Sequence, residues 1–447
     1  MDATFLHRLQ FAFTITYHYL FPQLTMGLGL VIVILKYRAT FKGDVVAAEC
    51  ARFLAKLFAL NFVMGVVTGI PMEFQFGAGW SRFAEAAGGV IGQTLAMEGV
   101  FAFFLESSFL YLLIFGEKKL SPRAHFASAV AVMTGSWASA YFIIVTNAWM
   151  QHPVGHEVLA DGSIELTSLS AYLLNPWAPV QFAHTIAGSC LTAFVVTASL
   201  GAFYTLMGSH QAHAAKLLKV GVIGGLVAAI SMAMPTGDLQ ARLVIKHQPI
   251  AFAAMEGHFH TEDSAGLALI GQPNMETMTL DNPIVVPSAL SFMTYQRFDA
   301  RIEGLTSFPR EEWPDNVPLL YYAYHLMVGI GTLLIGLMAV SALALWRKRL
   351  GRTKPLLWAL MLALPFPYIA NTAGWLTAEL GRQPWLIYGL MRTRDGSSTV
   401  VSTGNILFAL LGYMGLYALL SMLFFFLFVR IVGKGPSVTP VAAEAAT

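Results

Sequence analysis

The sequence predicts an all-α, polytopic membrane protein with nine transmembrane helices, its N-terminus outside and its C-terminus inside. Three observations carry that prediction. Of 447 residues, 56% are hydrophobic and only 12% charged, and the mean hydropathy is +0.62, whereas a soluble chain carries roughly 25% charged residues. Nine stretches approach or exceed the about 20 apolar residues that a bilayer-spanning helix needs. The Lys and Arg residues between them fall mostly on one side. A formal net charge of +2 gives no case for nucleic acid. The amino terminus, MDATFLHRLQ, has no basic segment followed by a short apolar run and a small-residue cleavage site, so the first helix is expected to direct insertion.

In chain order the apolar stretches are 11–35, 53–70, 94–115, 126–145, 180–207, 217–234, 319–345, 356–380 and 406–432. Pro22 should kink the first, and Pro365 with Pro367 should interrupt the eighth. Orientation follows from the short connections. One side carries seventeen basic residues, from Lys36 through Lys434, and the other only five: Arg8, Arg82, Arg382, Arg392 and Arg394. Basic residues collect inside, which places the N-terminus outside. The chain then divides into helices 1–6 over 1–234, an external loop over 235–318, helices 7–9 over 319–432 and a cytoplasmic tail over 433–447. The loop is 84 residues long, with five basic and eleven acidic residues. Its aromatics, among them Phe252, Phe259, Phe308 and Trp313, favour an ordered, functional loop.

Ionisable groups at membrane depth are costly, so each is a functional candidate. His18, His184 and His325 fall within or at the edge of apolar stretches, as do Glu98, Glu106 and Glu379. With the N-terminus outside, all of these but Glu106 lie in the outer half of the membrane. Glu106 follows Glu98 by eight residues, about 12 Å along a regular helix and roughly 80° around it. A lone intramembrane His is about as often a helix-packing residue, and Glu379 three residues before Arg382 reads equally as a helix-end ion pair. Cys50 and Cys190 stand apart with no CxxC, so a metal cofactor would have to be held by His, Met or carboxylate. At this level a proton-coupled transporter and a haem protein both remain open; the lack of internal repeats lowers the transporter.

Seven segments in order resemble subunit I of the cytochrome bd-type quinol oxidases. They are HRLQFAFTITYHYLF, LAMEGVFAFFLES, NAWMQHPVG, QFAHTIAG, QPIAFAAMEGHF, YYAYHLMVGIG and GWLTAELGRQPW. The resemblance covers nearly the whole chain and implies a haem-containing quinol:oxygen oxidoreductase of the bacterial cytoplasmic (inner) membrane. It implies a low-spin haem b held by His184 and Met327, and two high-spin haems, one a haem b and the other a haem d or a third haem b, ligated by His18 and Glu379. Trp375 and Arg382 border that pair, Glu98 and Glu106 serve proton delivery to it, and Glu256 acts in quinol oxidation on the external loop. It further implies a second large membrane subunit, one or more single-helix small subunits, and quinol and O2 as reactants. Protons for oxygen reduction would come from inside and those of quinol be released outside, building a gradient without pumping.

Two departures from the family pattern bear on the site. His325 stands where an Arg is usual, two residues before Met327. Residues so spaced point about 200° apart on a helix, so the two cannot ligate one haem together. His325 is expected to replace the Arg beside a haem propionate, the alternative being a bis-histidine haem. Ala251 stands where a loop Lys is usual, and the loop is of the short type.

Overall fold

Inside a bilayer every backbone N–H and C=O must be satisfied within the protein, which leaves helices as the outcome for stretches this apolar and this free of period-two alternation. The computed structural model describes residues 3–437, and among them nine helices are long and apolar enough to cross a membrane. They are Ala3–Lys42, Val45–Ala78, Ser81–Phe115, Pro122–Gln151, Leu169–Leu206, Gln211–His247, Val317–Trp346, Lys354–Arg382 and Thr403–Lys434, called helices 1 to 9 below. Odd-numbered helices start on one face, here the N-terminal face. Most of the expected tail lies outside the described residues.

Every helix outruns its apolar stretch, because polar end turns add length that hydropathy does not register. The sixth differs most. Residues 235–247, assigned to the loop from the sequence, instead complete helix 6. Helix 6 kinks at Met232–Gly237, where Met234 leaves helical dihedrals beside Pro235, and the chain resumes as a second helical part, Asp238–His247; a proline, which lacks the N–H, is a usual place for such a kink. A π turn, Glu98–Phe103, interrupts helix 3. Helix 8 breaks as expected, into Lys354–Leu362 and Phe366–Arg382, with Pro365 and Pro367 at the start of the second part. Helix 1 runs through Pro22 without interruption.

Helix 5 is the centre of the bundle: 94% of its apolar window is buried, against 6% for helix 9. Small residues permit this. A Cβ on Gly221 of helix 6 would lie 2.4 Å from the Ala198 nitrogen of helix 5, so only glycine allows the two backbones to approach so closely. Helix 9 by contrast turns Phe408, Phe425 and Phe426 outward.

The long loop between helices 6 and 7, expected to be external, is ordered and carries its own apolar core. A short helix, Pro249–Glu256, packs Ile250, Phe252 and Met255 against Phe259, Leu290, Ile302 and Trp313, and this cluster continues into Val317 and Leu320 of helix 7. An antiparallel hairpin, Leu267–Asn274 with Thr279–Val286, covers it. The loop is thereby seated on the N-terminal face.

Candidate functional site

The two deeper histidines are held in the same way. His184 Nδ1 lies 3.2 Å from the Thr236 hydroxyl, and that hydroxyl donates to the Ser231 carbonyl at 2.8 Å. Its single proton is therefore used, and it accepts from the imidazole N–H. His18 Nδ1 lies 3.0 Å from the Thr68 hydroxyl, which donates to the Met64 carbonyl at 2.8 Å. In both rings the network assigns the proton to Nδ1 and leaves the lone pair on Nε2, the arrangement of a metal-ligating histidine with its supporting partner. Thr236 reaches His184 from within the kink of helix 6.

Helix 8 supplies the rest of the polar face. Trp375 and Glu379 are four residues apart and Arg382 three further on, so all share one side of the helix. Trp375 meets Tyr19, next to His18, edge to face at 5.6 Å. The preceding Gly374 receives Met327 from helix 7: a Cβ there would lie 2.7 Å from the Met327 sulfur. Glu379 accepts from Asn147 Nδ2 at 2.7 Å on one oxygen and pairs with Arg382 on the other. Asn147 in turn accepts from Gln181 at 2.8 Å, so amides from helices 4 and 5 set the carboxylate's orientation. Arg382 is buried, at 4% exposure, yet its Nε and Nη1 have no partner among the described residues. A buried guanidinium with two free N–H groups demands an acceptor, and a carboxylate is the natural one.

Glu98 and Glu106 both face helix 4. Ser139 donates to Glu98 at 2.7 Å, and one turn away a Cβ on Gly135 would come within 3.0 Å of the Glu106 backbone. The roughly 80° separation expected of a regular helix does not hold, because the intervening π turn holds one more residue and takes back about 100°. The two carboxylates thus form one line along the helix 3–helix 4 seam. Glu106 is buried, with Oε1 unpartnered among the described residues.

Glu256 ends the loop helix and is 5% exposed, one carboxylate oxygen lacking a partner among the described residues. Burial pushes its carboxyl up to about 7, against the opposing effect of a hydrogen bond from the Tyr324 hydroxyl. The chain turns sharply after it at Gly257, where φ is +65° and a Cβ would strike Leu280 and Tyr321; glycine is required on both counts. Ala251 lies at the contact between this helix and helix 8, where a Cβ on Gly381 would be 3.3 Å away. A lysine stem would not fit that packing.

His325 does not join the polar face of helix 8. Its Nδ1 bonds the Tyr321 carbonyl at 2.9 Å and its Nε2 the Ala268 carbonyl of the external hairpin at 3.0 Å, while its ring lies over Tyr321 at 3.9 Å. Both nitrogens lie within hydrogen-bond distance of backbone carbonyls, a neutral ring donating to one of them, and the residue bridges helix 7 and the loop. Sequence reasoning had also passed over Asn147, Gln181, Thr68 and Thr236. The first two sit inside the NAWMQHPVG and QFAHTIAG segments; neither threonine lies in any of the seven.

Groups of three or more His, Cys, Asp or Glu suited to a bare metal ion are absent among the described residues. The donor set is instead imidazole, thioether and carboxylate, each on a different helix, with a buried cation nearby. That is the chemistry of haem axial ligation with propionate capture, and the residues fit it.

Comparison with known proteins agrees. The family model for cytochrome bd terminal oxidase subunit I matches residues 6–436. The chain is 34% identical to cytochrome bd ubiquinol oxidase subunit 1 of Bacillus subtilis (strain 168), covering 97% of this chain and 94% of that one. It is 30% identical to cytochrome bd-II ubiquinol oxidase subunit 1 of Escherichia coli (strain K12), covering 98% and 97%. Its fold matches the structure of bd oxidase from Geobacillus thermodenitrificans with a TM-score of 0.90 at 30% identity, over 97% and 99% of the two chains.

Proposed function

The chain belongs to the cytochrome bd terminal oxidase subunit I family, and from that premise we propose that it is the haem-bearing subunit of a quinol-driven oxygen reductase working across the bacterial inner membrane. As a member of this family it is a multi-pass component of a multi-subunit respiratory oxidase. Its relatives are named as ubiquinol oxidase subunits, and the quinol class for this chain stays open between ubiquinol and menaquinol.

In this reading His184 and Met327 hold the low-spin haem b. His18 and Glu379 hold the high-spin pair, a haem b together with either a haem d or a third haem b. When bound, these groups supply electron transfer and oxygen reduction. The protein supplies everything else. Thr236 and Thr68 fix the imidazole tautomers. Asn147 and Gln181 orient Glu379 and leave each of its oxygens a further lone pair, and the free N–H groups of Arg382 receive a propionate. Trp375 packs the same space from the side.

Glu256 accepts a proton from the quinol hydroxyl at the external loop, a role suited to a carboxyl that titrates near neutrality. Glu106 and Glu98 carry protons from the opposite face along the seam between helices 3 and 4. With the N-terminus outside, protons leave on one side and enter on the other, and no pump is required. His325 holds the loop on helix 7 instead of contacting a propionate. Helix 9, with its outward phenylalanines, suits the second large subunit, and small single-helix subunits complete the assembly.

The observation that carries the reading is the pair of histidines, each held at Nδ1 by a threonine, together with a buried arginine that has two N–H groups without a partner among the described residues. Oxygen uptake by the purified complex tests it. Uptake should require quinol and should vanish in His184→Ala together with the low-spin absorbance; quinol-dependent uptake that survives His184→Ala with its spectrum unchanged would remove the assignment.

A further inference from the structure

The basic residues of the N-terminal face are few, yet they gather. Of the five in its short segments, Arg8, Arg392 and Arg394 line a single cavity of about 610 Å3, joined there by Arg310 of the external loop and by the carboxylates Glu311 and Asp315. We propose that this cavity binds a phosphate group, as carried by the headgroup of an anionic phospholipid in the adjoining leaflet.

Four guanidinium groups face two carboxylates, and their partners are unequal. Arg8 is matched by Asp315 at 2.7 Å, and Arg394 by Asp395 at 3.6 Å. Arg310 and Arg392 pair with no carboxylate among the described residues. Each instead lies over an indole: Arg310 Cζ is 4.1 Å from the Trp313 ring centre and Arg392 Cζ 4.7 Å from that of Trp385. Arg392 also donates to the Glu311 carbonyl at 2.9 Å. The cation–π contact holds each guanidinium in place and leaves N–H donors for a ligand, and a fork of such donors matches phosphate oxygens in pairs. No lysine lines the cavity, so the preference is for oriented donors over point charges.

Depth favours a lipid headgroup. The lining includes Thr4 and Arg8 from the first turns of helix 1, Val317 and Pro318 from the start of helix 7, and Pro384 just past helix 8. These helix ends lie at the membrane–water boundary, where phosphates sit. The volume falls in the range of small-molecule sites.

The test uses the purified, delipidated oxidase complex with phosphatidylglycerol, phosphatidylcholine and inorganic phosphate as probes, read by native mass spectrometry and by the shift in thermal midpoint. Phosphatidylglycerol should bind wild type and raise its midpoint more than phosphatidylcholine does, and affinity should fall about tenfold or more in the Arg310→Ala/Arg392→Ala double variant. The Arg310→Lys/Arg392→Lys pair keeps the charge and should lose part of the binding, which covers the case in which the alanine protein fails to fold. Displacement of phosphatidylglycerol only by a large excess of inorganic phosphate supports the lipid, whereas displacement at equimolar inorganic phosphate would assign the site to the bare anion and overturn the lipid reading. Equal binding of the two lipids by wild type, equal binding of phosphatidylglycerol by wild type and both variants, or no binding by wild type overturns the proposal.

Discussion

Replacing Glu256 with Gln removes one proton acceptor while keeping size, shape and the hydrogen bond from Tyr324. Burial raises this carboxyl from its ordinary 4.5 to about 7, so about one tenth of it is ionised at pH 6 and about nine tenths at pH 8. Quinol oxidation by wild type should accordingly rise with pH up to about 7 and level off above. A general base contributes roughly 100- to 10,000-fold, so the Gln variant should lose at least about 100-fold in turnover and lose the pH dependence with it, while all haem bands persist. Stability gives a second readout. The folded carboxyl binds its proton more tightly than the unfolded one, so the stability it contributes is fully present below about 4.5 and is lost as pH rises through 7. At about 1.4 kcal/mol per pH unit the interval is worth about 3 kcal/mol. Glutamine does not incur that loss, and hydrogen exchange of the loop helix at pH 8 should be slower in the variant by about 300-fold. Turnover within threefold of wild type, or an unchanged pH profile, would refute the role given to Glu256.

Thr236→Val should weaken low-spin haem retention about 10- to 100-fold, the usual effect of losing a ligand's supporting hydrogen bond, measured as haem released under dilution; unchanged retention argues against the Nδ1 assignment. Met327→Leu should abolish the low-spin spectrum without producing a bis-histidine signal in electron paramagnetic resonance, since the His325 ring is directed at the Tyr321 and Ala268 carbonyls. His325→Ala should free the external hairpin, raising the KM for quinol and exposing the loop to protease with the haem bands intact; a changed haem spectrum would return His325 to the cofactor. Glu106→Gln should slow oxygen reduction about 100-fold with little change in quinol affinity, and a selective rise in quinol KM would contradict its place on the proton line.

Hydropathy made nearly all of the fold legible, because spanning segments have no alternative to helix. It failed at Pro235, where a proline next to polar residues read as the end of helix 6 while the chain kinks there and resumes as a further helical part, Asp238–His247. The π turn in helix 3 was equally invisible, and it alone brings Glu98 and Glu106 onto one face. Such turns are set by packing against neighbours and leave no periodic signature. At the site, histidines and carboxylates stood out because charge is rare at membrane depth. Thr68, Thr236, Asn147 and Gln181 did not, since hydroxyls and amides are ordinary helix-packing residues until a partner is seen. Met327 was legible only through family resemblance, one methionine among twenty. The contact of His325 with the Ala268 carbonyl was not legible, because that partner lies 57 residues away in sequence on a hairpin that composition does not reveal.

Haem content tests the central claim most directly. Pigment extraction and a dithionite-reduced spectrum of the purified complex, normalised to this chain, should give three haems per copy, with a low-spin b band that disappears in His184→Ala and high-spin bands that depend on His18 and Glu379. A complex that contains this chain, intact and folded, and carries no haem would contradict the assignment of every ligand named here.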